Sequence, residues 1–259
     1  MIKLIASDVD GTLLLDRAQH IDPLIFSQIR QLQTKGIRFC VASGRQYSSL
    51  KRLFAPVADR VLFICENGSI VFEQDKILSK TPLPLEHARQ LIGQIVAQPD
   101  CEVLISGANT SYLLPKSPAV LEHMENVVQN NVVVVDHISE IPEEIIKISA
   151  CTHGNAANYK PVFAPVWERY LHVAVAGEHW LDFTLAHKGS ALEQISAHLG
   201  ISPRDILVFG DNDNDVSMFR CAGDSYAMAD AAPEVQSAAK HICANVSAVL
   251  QDILDGRDA

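Results

Sequence analysis

Four short apolar runs, Ile2–Ser7, Ile37–Ala42, Val61–Cys65 and Asp205–Phe209, each break off into small polar residues. The first runs into Asp8-Val9-Asp10-Gly11-Thr12 and the second into Ser43-Gly44-Arg45. The third runs into Glu66-Asn67-Gly68 and the fourth into Gly210-Asp211-Asn212-Asp213-Asn214-Asp215. Such a run, bounded by Gly and Asp, reads as a buried strand followed by a turn. Between the first two runs, Leu24, Ile25, Ile29 and Leu32 have helical spacing behind Asp22 as N-cap and Pro23 at the first helical position, and Gly36 ends the helix. A second helix, to about Phe54, separates the next pair. Strand and helix in alternation predict a parallel α/β sheet. In such sheets ligands collect at the carboxyl ends of the strands, where Asp8, Ser43 and Asn67 fall.

The pattern changes after residue 66. Ser69–Phe72 and Lys76–Ser79 read as a hairpin, followed by Pro82 and Pro84. From Leu83 to Asp182 the spacing predicts helices at Glu86–Ala97, Pro118–Gln129 and Ala156–Tyr170. It predicts strands at Glu102–Ser106, Ser111–Leu114, Val132–Val135, Ile145–Ala150, Leu171–Val175 and Trp180–Phe183. No catalytic motif lies in this stretch, which reads as a second α/β module inserted into the first. The earlier pattern resumes at Lys188. Gly189–Leu199 reads as a helix ended by Gly200, Val216–Cys221 as another, Ser225–Met228 and His241–Ile242 as short strands, and Ser247–Leu254 as a closing helix.

The formal net charge is −10 and no basic block occurs, which argues against a nucleic-acid partner. No apolar run approaches the roughly 18–20 residues of a membrane helix. The apolar start at Met1–Ser7 is too short for a signal peptide and runs into acidic residues, so the expected location is cytoplasmic, with no membrane partner. The six cysteines lie apart in apolar runs and read as buried free thiols.

Asp8, Asp10, Asp211 and Asp215 would converge at one sheet edge. Crowded carboxylates raise one another's pKa, and a divalent cation removes the conflict. Oxygen-only ligands suit magnesium; zinc would want Cys or His, and these motifs contain neither. A carboxylate beside a metal can attack a phosphoryl group and form a hydrolysable aspartyl phosphate. Lys188 supplies a positive charge, Ser43 a hydroxyl donor, and the backbone N–H groups after Asp8 a nest for phosphate oxygens. Asp10 fits general acid–base work, protonating the leaving oxygen and then deprotonating the attacking water.

These residues match a family. The chain resembles the haloacid dehalogenase-like (HAD) phosphatases, and within them the Cof-type group with a type IIB α/β cap inserted between the second and third motifs. Asp8-Val9-Asp10-Gly11-Thr12-Leu13-Leu14 fits the first motif, Ala42-Ser43-Gly44-Arg45 the second, Lys188-Gly189-Ser190-Ala191-Leu192 the third and Gly210–Asp215 the fourth. The resemblance implies a Rossmann-like parallel core over residues 1–82 and 184–259, with a cap over 83–183 that selects the substrate. It implies Asp8 as nucleophile and magnesium ligand, and Asp10 as acid–base residue bound to the metal through its main-chain carbonyl. Asp211 becomes a direct ligand, with Asn214 and Asp215 completing or orienting the metal shell. Thr12 supports the loop and stands among the phosphate-binding groups. Ser43 and Lys188 hold the phosphate, and Gly44, Arg45, Asn67 and Asn214 join them on the substrate side. The substrate class implied is a small phosphorylated metabolite such as a sugar phosphate, handled by a monomer or homodimer.

Blander readings stand beside these. Asp8 and Asp10 could be turn formers, Lys188 a solvated lysine and Ser43 a loop residue, although a cation at a helix start calls for an anion nearby. His187 has no required role, and Arg45 fits either a substrate contact or a pair with an acid. Tyr112, Asn109, His153, His179 and Trp180, in the inserted stretch, read as surface or core. Two other functions share the motifs. A phosphomutase would return the phosphate to its substrate, and product analysis separates it. A phospho-acceptor without turnover would keep a long-lived phospho-Asp8.

Overall fold

A computed structural model describes residues 1–15, 18–115, 121–122 and 131–257. The helix expected over Pro118–Gln129 lies almost wholly outside them. Two sheets organise the chain. The larger has eight strands in the order β14-β13-β12-β1-β2-β3-β4-β5. These are β1 (Leu4–Ser7), β2 (Arg38–Ala42), β3 (Val61–Cys65), β4 (Ile70–Glu73), β5 (Lys76–Lys80), β12 (Ile206–Gly210), β13 (Asp224–Met228) and β14 (His241–Cys243). All neighbours from β14 to β3 run parallel; β4 and β5 turn back antiparallel.

The central parallel strands β1, β2, β3 and β12 are predominantly apolar because both faces are covered. Ile5, Phe39, Val41, Phe63, Leu207 and Phe209 face one core, with the helices Pro23–Thr34 and Val246–Asp255. Leu4, Ala6, Cys40, Leu62, Ile64 and Val208 face the other, with Ala191, Leu192, Ile195 and Met218 of the helices Lys188–Leu199 and Val216–Cys221. The Asp22 carboxylate caps the first helix by accepting from Leu24 N–H, with Pro23 at its start.

The smaller sheet has the order β10-β11-β9-β6-β7-β8. Its strands are β6 (Cys101–Ser106), β7 (Ser111–Leu114), β8 (Val132–Val134), β9 (Lys147–Thr152), β10 (His172–Val175) and β11 (Trp180–Thr184). Here the strands alternate. Val103, Ile105, Ile148, Ala150, Leu181 and Phe183 pack on the helices Leu85–Val96 and Lys160–Trp167. The intervening residues, among them Leu104, Lys147, Ser149, Trp180 and Asp182, line a cavity shared with the larger sheet's loops.

Some expectations shift. The strand expected at Ile145–Ala150 is displaced to Lys147–Thr152, where it gains pairing partners on both sides. The helix expected over Ala156–Tyr170 is a 3₁₀ turn at Ala156–Asn158, capped by Asn155, and then Lys160–Trp167, which starts at Lys160-Pro161. The helix Pro233–Ala238 was not expected, because six residues are too few to show a period. All six cysteines are free, and Cys151 and Cys221 are only partly buried.

Candidate active site

The loop after β1 is tight because Val9 C=O accepts from the N–H groups of Thr12, Leu13 and Leu14. Gly11 sits at φ +87°, and a Cβ there would overlap Asp211 Oδ2. The glycine thus lets the first and fourth motif loops touch. Thr12 Oγ1 closes the contact by donating to Asp211 Oδ1 at 2.8 Å. The Thr12 hydroxyl, expected among the phosphate-binding groups, is thus engaged with Asp211.

Lys188, at the start of its helix, is 1% exposed. Its Nζ donates to Asp8 Oδ1 at 2.5 Å and to Asp215 Oδ1 at 2.6 Å. Asp215 Oδ2 accepts from the N–H groups of Asp211 and Asn212. Removing one partner from such a buried pair costs about 3–5 kcal/mol. Burial would lower the Lys188 pKa, but Asp215 and Asp8 outweigh it and hold the ammonium form. Burial raises the Asp8 carboxyl well above its usual range; Lys188 opposes this, and Asp215 and Asp211 add to it. Asp211 is raised by burial and then by Asp215.

Asp8, Asp211 and Asp215 each bring an oxygen within 4.8 Å of the others. The donor set is all oxygen, and the crowding of anions is what a divalent cation relieves, so the residues fit magnesium. Asn214, on the same loop, carries a buried Oδ1 with no hydrogen-bond partner, a further unused oxygen. Both oxygens of Asp215 are already engaged, which leaves Asp8 and Asp211 as the carboxylates with capacity to spare. The Asp10 carboxylate does not converge with the others. Arg45 holds it from the cavity side, Nε to Oδ2 and Nη2 to Oδ1. Its expected metal contact is thus limited to the main chain.

Ser43, Gly44 and Arg45 follow β2 and line the cavity with Asp8, Asp10, Asp211 and Asn214. Asn67, expected on the substrate side, sits behind the residues that line it. Its amide Nδ2 donates to Asp182 Oδ2 at 2.5 Å, and its Oδ1 accepts from Asn214 Nδ2 at 3.1 Å. Gly44 has no room for a side chain, because a Cβ would lie 2.9 Å from Asn67 Oδ1. Of the five polar or aromatic residues singled out in the inserted stretch, Trp180 lines the cavity. Tyr112 is buried and donates to Glu143, while His179 accompanies Gly154 C=O away from it.

The cavity, about 560 Å³, holds a cluster in which only Glu66 belongs to a motif loop; Lys147, Ser149, Asp182 and Ser106 were not expected at the site. Lys147 Nζ donates to Glu66 Oε2 at 2.6 Å and to Gly44 C=O at 2.9 Å, and lies 3.4 Å from Asp182 Oδ2. Ser149 Oγ donates to Asp182 Oδ1 at 2.7 Å, and Ser106 Oγ to Glu66 Oε2 at 3.2 Å. Burial raises the Glu66 carboxyl, with Lys147 opposing and Asp182 adding. Glu66 and Asn67 both have left-handed backbones, φ 51° and 56°, and Gly68 follows at 102°. The available signal was the alternation Lys147-Ile148-Ser149-Ala150 and Trp180-Leu181-Asp182-Phe183, which puts these polar groups on one sheet face.

Residues 5–249 match the sequence model of the family described as haloacid dehalogenase-like hydrolase. The chain is 30% identical over 250 residues to the 5-amino-6-(5-phospho-D-ribitylamino)uracil phosphatase YbjI of Escherichia coli K12, covering 93% of this chain and 90% of that protein. A solved structure from Eubacterium rectale is 33% identical, with a TM-score of 0.86 over 97% of this chain and 99% of that one. The subclass IIB sugar phosphatase BT4131 shares the fold, with a TM-score of 0.83 at 19% identity over 97% of this chain and 98% of that one.

Proposed function

This chain belongs to the haloacid dehalogenase-like hydrolases, with Cof-type, subclass IIB architecture, and from that premise we propose that it is a magnesium-dependent phosphatase of small phosphorylated metabolites. The observation that carries the reading is the buried Lys188 bridging Asp8 and Asp215 at the loop edge that also holds Asp211. Asp8 and Asp211 would hold the metal, with Asp215 orienting the loop and Lys188. The ion, when bound, neutralises charge on the phosphoryl oxygens and on the carboxylates around them.

Asp8 attacks phosphorus through a carboxylate oxygen, and the bond to the ester oxygen breaks. Asp10 gives that oxygen a proton, so an alcohol leaves and Asp8 carries the phosphoryl group. Asp10 then takes a proton from water, whose oxygen attacks phosphorus and frees inorganic phosphate and Asp8. Lys188 and the Ser43 hydroxyl hold phosphoryl oxygens, and Arg45 positions Asp10, giving up one of its two hydrogen bonds when that carboxyl carries the proton. Residues 83–183 act as the cap that covers the site and chooses the leaving group, and 1–82 with 184–259 carry the chemistry. Among the described residues no helix is long and apolar enough to cross a membrane.

The test is phosphate release from a panel of phosphorylated metabolites, with magnesium and with EDTA, for wild type and Asp8→Asn. Release that needs magnesium and vanishes in the variant is expected. Folded, magnesium-loaded protein that releases phosphate from nothing sinks the reading.

A further inference from the structure

Trp180 is the sole aromatic side chain on the cavity wall among the described residues. Strand alternation puts it there, since Leu181 and Phe183 face the helices while Trp180 and Asp182 face the cavity. Its place along the wall follows from register. Trp180 pairs with Cys151 on β9, and Lys147 lies four residues earlier on that strand. At roughly 3.3 Å per residue the two rows stand about 13 Å apart. Lys147 reaches the Gly44 C=O at 2.9 Å, so its row abuts the loop that carries Ser43. Trp180 marks the far end of the wall.

Unlike Lys147, Ser149 and Asp182, which are buried, Trp180 is partly exposed. It packs against Leu104 and Leu113, which leaves the rest of the indole to the cavity. Beside it the β10–β11 turn holds Gly177 at φ +117°. A Cβ there would find only Trp180 Cδ1 within 4 Å, at 3.9 Å, so open space adjoins the indole.

The charges narrow the ligand. Away from Asp8 and Asp211, the carboxylates lining the cavity are paired, Asp10 with Arg45, and Glu66 and Asp182 with Lys147. The same pairs occupy both lining cations. A cationic group beside Trp180 finds no carboxylate to spare, and a second anion finds no cation. What remains is an electron-rich aromatic face with apolar backing, which a neutral flat ring covers by stacking. A ring joined directly to the ester oxygen stays at the Lys147 end; a ring carried on a spacer reaches the indole.

We propose that Trp180 is a stacking platform for a flat, uncharged ring of the leaving group, carried on a spacer, and so determines specificity for ring-bearing phosphomonoesters. The inference rests on the phosphatase reading and adds to it what recognises the far end of the substrate.

The experiment measures kcat/KM for adenosine 5′-monophosphate and ribose 5-phosphate, which differ only by the ring, with phenyl phosphate and phosphocholine as controls. Wild type should favour the nucleotide over the bare sugar phosphate. That ratio should fall about fivefold to a hundredfold in Trp180→Ala and in Trp180→Leu, the range for one stacked base, and by less than threefold in Trp180→Phe. A purely structural role would weaken both compounds alike and leave the ratio in place. The ratio of phenyl phosphate to ribose 5-phosphate should stay within twofold. Binding is read separately by tryptophan fluorescence on Asp8→Asn. The chain has two tryptophans, and Trp167 is 2% exposed and donates to Gln94 on the helix side. The nucleotide should therefore quench Asp8→Asn and not Asp8→Asn/Trp180→Phe, and ribose 5-phosphate should quench neither. Quenching of this kind without phosphate release by magnesium-loaded wild type would reject the phosphatase reading and keep the subsite. No quenching, a nucleotide ratio unchanged within twofold in folded Trp180→Ala and Trp180→Leu, an equal fall for phenyl phosphate, or a preference for phosphocholine overturns the proposal.

Discussion

Arg45 grips Asp10 with two edges of its guanidinium, Nε 2.8 Å from Oδ2 and Nη2 2.6 Å from Oδ1. Two parallel hydrogen bonds fix the plane of a carboxylate as well as its position. The pair therefore fixes Asp10 at the cavity wall, apart from the cluster of Asp8, Asp211 and Asp215.

That orientation predicts a leaving-group signature. An alkoxide needs a proton as it departs, whereas p-nitrophenolate does not. Asp10→Asn should lower kcat for an alkyl phosphate by about a hundredfold to ten-thousandfold, and much less for p-nitrophenyl phosphate if its first step is compared by burst kinetics. Equal losses for both compounds would remove the proton-donor role.

The Thr12 hydroxyl on Asp211 Oδ1 predicts an effect on magnesium rather than on substrate. Groups that orient a metal ligand typically change affinity tenfold to a hundredfold. Thr12→Val should raise the magnesium concentration for half-maximal phosphate release by about tenfold. A magnesium titration that superimposes on wild type contradicts the assignment.

His187 caps the Lys188 helix, its Nδ1 accepting from Ser190 N–H at 3.0 Å, with the His172 ring 4.7 Å away. Burial lowers the His187 pKa despite Glu193, and burial with His187 lowers that of His172. A depressed folded pKa gives stability that is present above about 6.5, the ordinary histidine value, and lost as pH falls through the folded one. Protonated Nδ1 also cannot accept, so a cap worth about 1 kcal/mol goes with it. The wild-type Tm should drop between pH 7 and pH 5, and His187→Asn, which keeps an acceptor, should drop about 2–4 °C less. Parallel curves for the two proteins would show that the ring does not titrate against folding.

The chemistry-bearing loops were legible because each motif is contiguous and sits where an apolar run ends. Asp8 and Asp211 needed no tertiary information beyond the rule that parallel strands deliver their carboxyl ends to one edge, and Lys188 stood out as a cation at a helix start. Thr12 and Asn67 were legible as members of motifs but not in their contacts, since only the folded loops show Thr12 spent on Asp211 and Asn67 on Asp182. Lys147 and Asp182 were not legible as site residues. In an antiparallel sheet a polar residue at alternate positions reads as a solvent face. Here that face is roofed by the loops of the other sheet, a fact set by how the two sheets meet.

The alternation in β6, β9 and β11 has a consequence for how this scaffold can diversify. Its helix-facing residues hold the inserted module together, and its cavity-facing residues meet whatever enters. Most of the packing thus lies on one side of these three strands and the cavity wall on the other, where Leu104 also packs with Leu113 and Trp180. Combinatorial exchange at Ser149 and Trp180 can explore new ligands while Val103, Ile148 and Leu181 keep their packing. That is an arrangement in which mutational tolerance and functional novelty draw on different positions.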